Sequence, residues 1–150
     1  MDEEISAVIT KLAGIPDIKY ADENWGQLDY YSPNFPVKFP CTLVDTSDVQ
    51  YSNIGLDKTL MPIQRQQGDV SFGITVANLK LTNSSHLAPQ GQKDEAFKIQ
   101  VILETIHARL HGWRPSDRCG ALIRKSLRRI KRDDGVQEYE LLYSCGINNV

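Results

Sequence analysis

Cysteine is scarce in this 150-residue chain, which has only Cys41, Cys119 and Cys145, an odd, widely spaced set without a CxxC pair. Such a set argues against a disulfide framework or a zinc site, and a reducing compartment is the simpler setting. Long apolar runs are missing too, and nothing approaches the roughly 20 residues that a membrane-spanning helix requires. The opening MDEEISAVITKLAGIPD is acidic and lacks the basic and apolar regions of a signal peptide. Neither GxGxxG nor a GxxxxGK loop occurs, so the phosphate-cradling signatures are missing. GxSxG is also missing, and no cysteine sits in a recognisable protease context. These absences predict no cofactor, no metal and no catalysis.

What is there reads as an ordinary globular chain. Hydrophobic residues make up 41% and charged residues 24%, which argues against global disorder. The length fits a single soluble domain over 1–150, large enough to bury roughly two thirds of its unfolded surface. Net charge is −2, which by itself points neither to nucleic acid nor to a membrane. Its distribution is uneven. Residues 1–60 carry 10 acidic and 4 basic side chains, whereas 114–150 carry 5 acidic and 8 basic ones. An acidic first part and a basic last part suit head-to-tail self-association or docking of unlike surfaces.

Periodicity supplies the elements. Ile5, Val8, Ile9 and Leu12 make one apolar helical face, and Gly14 then Pro16 end it. Residues 22–40 hold three prolines (Pro33, Pro36, Pro40) beside Trp25, Tyr30, Tyr31, Phe35 and Phe39. Prolines block regular pairing, while so many aromatics argue against a disordered linker, so a long ordered loop or arm is expected. A short strand is expected over Thr42 to Asp48 and a polar loop over 52–68. Val70, Phe72, Ile74 and Val76 alternate with small or polar residues as a strand should. A second helix is expected from about Gln92 to His111, with Ala96, Ile99, Leu103, Ile106 and Leu110 facing the core. Phe97, Val101 and Ala108 form a narrower stripe roughly opposite that face. A closing hairpin runs from Ile123 to Arg132, turns at Asp133-Asp134-Gly135 and returns from Val136 to Ile147. The order α-β-β-α-β-β implies an α+β domain, a small mixed or antiparallel sheet with two main helices on one side.

Two clusters invite a chemical reading. His107 and His111 are one turn apart with Glu104 a turn earlier, a spacing that could share a metal. The pattern is not HExxH and no further strong ligand is evident, so a solvated strip beside the core face is the simpler account. The run from Arg114 to Arg132 is stronger, with eight basic residues against Asp117 alone. Six of them, Arg124, Lys125, Arg128, Arg129, Lys131 and Arg132, fall on the outer arm of the closing hairpin. They could track phosphates, form a merely solvated strand face, or meet an acidic protein surface. A sequence pI near 5.9 does not match the basic footprint of a dedicated nucleic-acid binder.

The order of elements, the segment NWGQLDYYSPNFPVKFP and the ending IRKSLRRIKRDDGVQEYELLYSCGI resemble phage and prophage tail-terminator, or tail-completion, proteins. The resemblance covers nearly the whole chain in layout. It implies a small α/β subunit that assembles as a homo-oligomeric ring, commonly a hexamer. Such a ring caps the tail tube and presents a surface to the head–tail neck, forming in the host cytoplasm before entering the virion tail. The family has no catalytic residues to carry over, and the long aromatic arm at 22–40 departs from its pattern. Expected contact residues are the six cations of the hairpin, Phe97 and Val101 on the helix, and Trp25, Tyr30, Tyr31 and Phe35 in the arm. The alternative is a small nucleic-acid-binding module working through 124–132.

Overall fold

In the computed structural model, which describes residues 1–30 and 34–150, the chain runs from helix to sheet to helix to hairpin. Helix α1 (Asp2–Ala13) carries Asp2, Glu3 and Glu4 in its first turn, where acids complement the positive end of the helix dipole. Strand β1 (Tyr20–Glu23) follows, then a short 3-10 turn at Gln27–Asp29 and two long strands, β2 (Cys41–Leu56) and β3 (Gln64–Leu79). Helices α2 (Gln90–Ala96) and α3 (Lys98–Leu110) lead to the closing hairpin of β4 (Ile123–Ile130) and β5 (Val136–Ile147). The five strands form one sheet in the order β1-β2-β3-β5-β4. Among the described strands β1 and β2 run parallel and the other neighbours are antiparallel.

The α+β class matches expectation, with three differences in the element order. β1 adds a strand where YADE offers no apolar alternation. The expected second helix is two helices, broken at Phe97, whose backbone leaves helical geometry at φ −101° and ψ 8°. The expected polar loop over 52–68 is mostly strand, because β2 and β3 continue past the core as a two-stranded ribbon. Its side chains face solvent on both sides, so no apolar alternation marks it. Antiparallel pairing from Tyr51↔Gly68 to Leu56↔Gln64 satisfies the backbone instead.

The main core lies between α1, α3 and one face of the sheet. Val8 and Leu12 from α1 and Ile99, Ile102, Leu103, Ile106 and Leu110 from α3 pack on Val44, Phe72, Ile74, Leu141 and Tyr143. The other face has a smaller cluster, Leu28, Val37, Cys41, Leu43 and Ala77, against which Phe35 and Phe39 pack. Two glycines end elements by adopting the left-handed region: Gly112 after α3 at φ +82°, and Gly135 in the β4–β5 turn at φ +78°.

Candidate functional site

Strand β4 is the sheet edge beyond β5, and Ile123 to Arg129 are all exposed. Its register places Leu127 opposite Leu141 and Arg129 opposite Tyr139, on the face that carries the helices. Arg128 stands opposite Glu140 on the reverse face and pairs with it at 3.5 Å. Arg129 lies over the Tyr139 ring at 5.8 Å. Among the described residues Arg124, Lys125, Arg129 and Lys131 make no ion pair. They leave a cationic edge whose charge the chain does not neutralise.

Arg132 behaves differently from its five neighbours. Its side chain is 12% exposed, and its guanidinium bonds Asp29 and Asp134 at 2.8 Å and Glu138 at 2.9 Å. It also donates to the Leu28 carbonyl. Hydrogen bonds donated to these carboxylates, Asp134 foremost, raise the Arg132 pKa further above its ordinary value. Arg132 therefore clamps the β4–β5 turn to the 3-10 turn of its own chain, a use that counting charges along the strand does not reveal.

The aromatic arm divides in two. Phe35 and Phe39 are half-buried, with ring centroids 6.2 Å apart. Trp25 and Tyr30 meet edge to face at 5.7 Å and stay about half exposed. Tyr31 lies outside the described residues. Gln27 fixes the turn by accepting from the Trp25 N–H and donating to the Glu23 carbonyl. On α3, Phe97 and Val101 are 50% and 59% exposed, and Ala108 is exposed with them.

The histidine pair is tied to structure. His107 Nδ1 lies 3.1 Å from the hydroxyl of the fully buried Tyr143, and His111 Nδ1 accepts the Arg124 backbone N–H. The two rings are 4.7 Å apart. Burial first, then Arg124 and His111, lowers the His107 pKa. Glu104 is exposed, and among the described residues no cluster of three His, Cys, Asp or Glu side chains could hold a metal. All three cysteines are buried, and burial pushes the Cys41 and Cys145 thiols up to about 12.

Two features escaped the sequence reading. The first is Glu4, fully buried at the start of α1. Its carboxylate takes a two-pronged contact from Arg118 at 2.6 and 3.1 Å, a bond from Ser116, and the N-terminal ammonium at 3.3 Å. The Arg118 contact outweighs burial and holds the Glu4 pKa at about 2. An open groove of about 740 Å³ beside this pair is lined in part by Gln50, Gly68, Arg114, Arg118 and Gly146. The second is the ribbon of residues 45–67. Tyr51, Ile54, Leu56, Leu60, Met61 and Ile63 are all exposed on it, Met61 at 87%.

No helix among the described residues is long and apolar enough to cross a membrane. No family model matches the chain. No curated protein matches it either. Among solved structures it is similar to a chain of the "Virion of native gene transfer agent (GTA) particle". The TM-score is 0.48 at 13% identity, over 99% of this chain and 91% of that one. A likeness this loose assigns no role.

Proposed function

We propose that this chain is a virion structural protein, a ring subunit of tail-terminator type that caps a tail tube and contacts the head–tail neck. The observation that carries the reading is the cationic edge strand β4 on one side of the sheet, opposite the acidic side that holds Asp22, Glu23, Asp45 and Asp48. Surfaces of opposite sign on opposite edges cannot satisfy each other within one chain, but they can between copies or with a partner. The resemblance of the 24–40 and 123–147 segments to tail-completion proteins supplies the tail setting. The subunit works as one non-enzymatic domain, assembled in the host cytoplasm, with the β4 cations, Phe97, Val101 and the arm aromatics as its contact residues.

The test is genetic and structural. Particles produced without this chain should have tails of uncontrolled length or tails detached from heads, and supplying the chain should restore them. Normal tails in its absence would end the reading. The four cations of β4 and its turn that make no ion pair among the described residues favour one alternative, a module that holds nucleic acid along β4. Tight duplex DNA binding at physiological salt, lost steeply as salt rises, would favour that alternative instead.

A further inference from the structure

We infer that the β2–β3 ribbon of one copy docks on the α3–β4 face of a second copy, a contact that rests on the ring-subunit reading and specifies its surfaces. The ribbon has the properties of a segment made to be covered. Parallel pairing of β2 with β1 stops at Val44, and from Asp45 to Leu56 its only strand partner among the described residues is β3. The β3 side is closed at Gln66, which exchanges two backbone hydrogen bonds with Val150. Arg65 adds bonds to Asn149 on the same side. Among the described residues no strand pairs with the outer edge of β2 beyond Val44. A two-stranded ribbon alone is marginal in water, and an open edge with exposed apolar side chains invites pairing. Ile54, Leu56, Leu60, Met61 and Ile63 lie near its tip, Asp45 and Asp48 near its base.

The α3–β4 face offers the complement. Gln100 of α3 donates to the Tyr139 hydroxyl, and His107 contacts Tyr143, which fixes this flank of α3 beside the β5–β4 edge. Exposed Phe97, Val101 and Leu127 are its apolar members, with Arg124 and Arg129 as cations that make no ion pair among the described residues. Among the described residues the cations here and the acids Asp45 and Asp48 there make no ion pair, and Asp45 is held above its ordinary pKa by burial and by Glu140 and Glu23. The occupant is a second copy because both halves, apolar and charged, are present on this chain at opposite edges of one sheet. Unlike patches make a head-to-tail contact, which closes into a ring or continues as a filament.

The buried native thiols leave a clean background for cross-linking of the full chain. A Leu56→Cys, Leu127→Cys double variant, oxidised gently, should give a ladder at multiples of 16.9 kDa. Equal mixing of the two single variants should stop at a cross-linked dimer. Light scattering should show Leu56→Asp, Met61→Asp protein associating at least about tenfold more weakly than the parent, with an unchanged thermal midpoint. Three results overturn the inference: association undiminished in the Asp variant, dimers from Leu56→Cys alone, or a 16.9 kDa species at every concentration. The first two leave self-assembly standing through another surface, and the third removes self-association itself. The genetic test of tail completion is independent of all three.

Discussion

The two long hairpins are built from the same motif and stabilised by different means. In β4–β5 the inner strand alternates into the core through Leu141, Tyr143, Cys145 and Ile147, while the outer strand is exposed from Ile123 to Arg129. Its turn is held by Arg132 among three carboxylates, and its far end by the Glu4–Arg118 pair, since Asn148 donates to the Arg118 carbonyl. In β2–β3 the split runs along the strands rather than between them. The half near Cys41 to Val44 is buried and the half beyond Tyr51 is exposed. Charge pins the first hairpin to its own chain, whereas the apolar tip of the second has no cover among the described residues. A hairpin closed by internal ion pairs contributes to stability, and one ending in exposed apolar side chains is available for contact.

Removing the clamp should break the comparison most visibly. Arg132→Met leaves Glu138, 9% exposed at its side chain, with its main counter-charge gone. Breaking such a pair costs on the order of 3 kcal/mol, a fall of about 10 °C in the thermal midpoint of a domain this size. Asp29→Ala, at the exposed end of the same cluster, should cost no more than about 1 kcal/mol. Differential scanning calorimetry separates the two, and equal small shifts would mean the clamp is not structural.

Glu4→Gln comes next. The folded pKa of Glu4 lies below its ordinary 4.5, so the stabilisation is fully present above about pH 4.5. It is lost as pH falls from there toward about 2, because the unfolded chain, with the higher pKa, takes up the proton first. The parent should exceed the variant by on the order of 2 kcal/mol at pH 7, after allowance for screening at the part-exposed Arg118, and the gap should close in acid. A gap independent of pH, in urea titrations at several pH values, would assign the loss to packing instead.

The smallest stability effect belongs to the edge strand. Arg124→Glu, Lys125→Glu, Arg129→Glu should move the thermal midpoint by no more than about 2 °C, since exposed charges contribute little to folding. The same variant should lose salt-sensitive association, seen by sedimentation at low and high salt. Association unchanged at both salts would separate the cations from assembly. Leaving Arg132 intact in this variant keeps folding and contact apart.

Much of the fold was legible because its elements bury one face. The α1 stripe, the Val70 to Val76 alternation and the α3 core face each repeat with the period of their element, and Asp-Asp-Gly marks a turn by residue type. Gly112 and Gly135 sit where only a residue without a side chain turns easily. The ribbon was not legible. Gln50 to Gln67 pairs through its backbone while its side chains meet water on both sides, and a strand buried on neither face leaves no periodic mark.

Of the candidate site, the exposure of the β4 cations followed from one-dimensional reasoning, since an edge strand rich in Arg and Lys must leave most of them in water. Which cation would be spent internally did not, because the partners of Arg132 come from residues 29, 134 and 138, and the first lies a hundred positions away. The same holds for Glu4, which looks like a dipole-offsetting acid in sequence and becomes buried only when Ser116 and Arg118 close over it. Local spacing determined α1, the core face of α3, the turn and the charge asymmetry, because those depend on near neighbours. Tertiary structure alone decided which charges were neutralised and which apolar residues stayed outside, because both depend on what distant segments bring within a few ångströms.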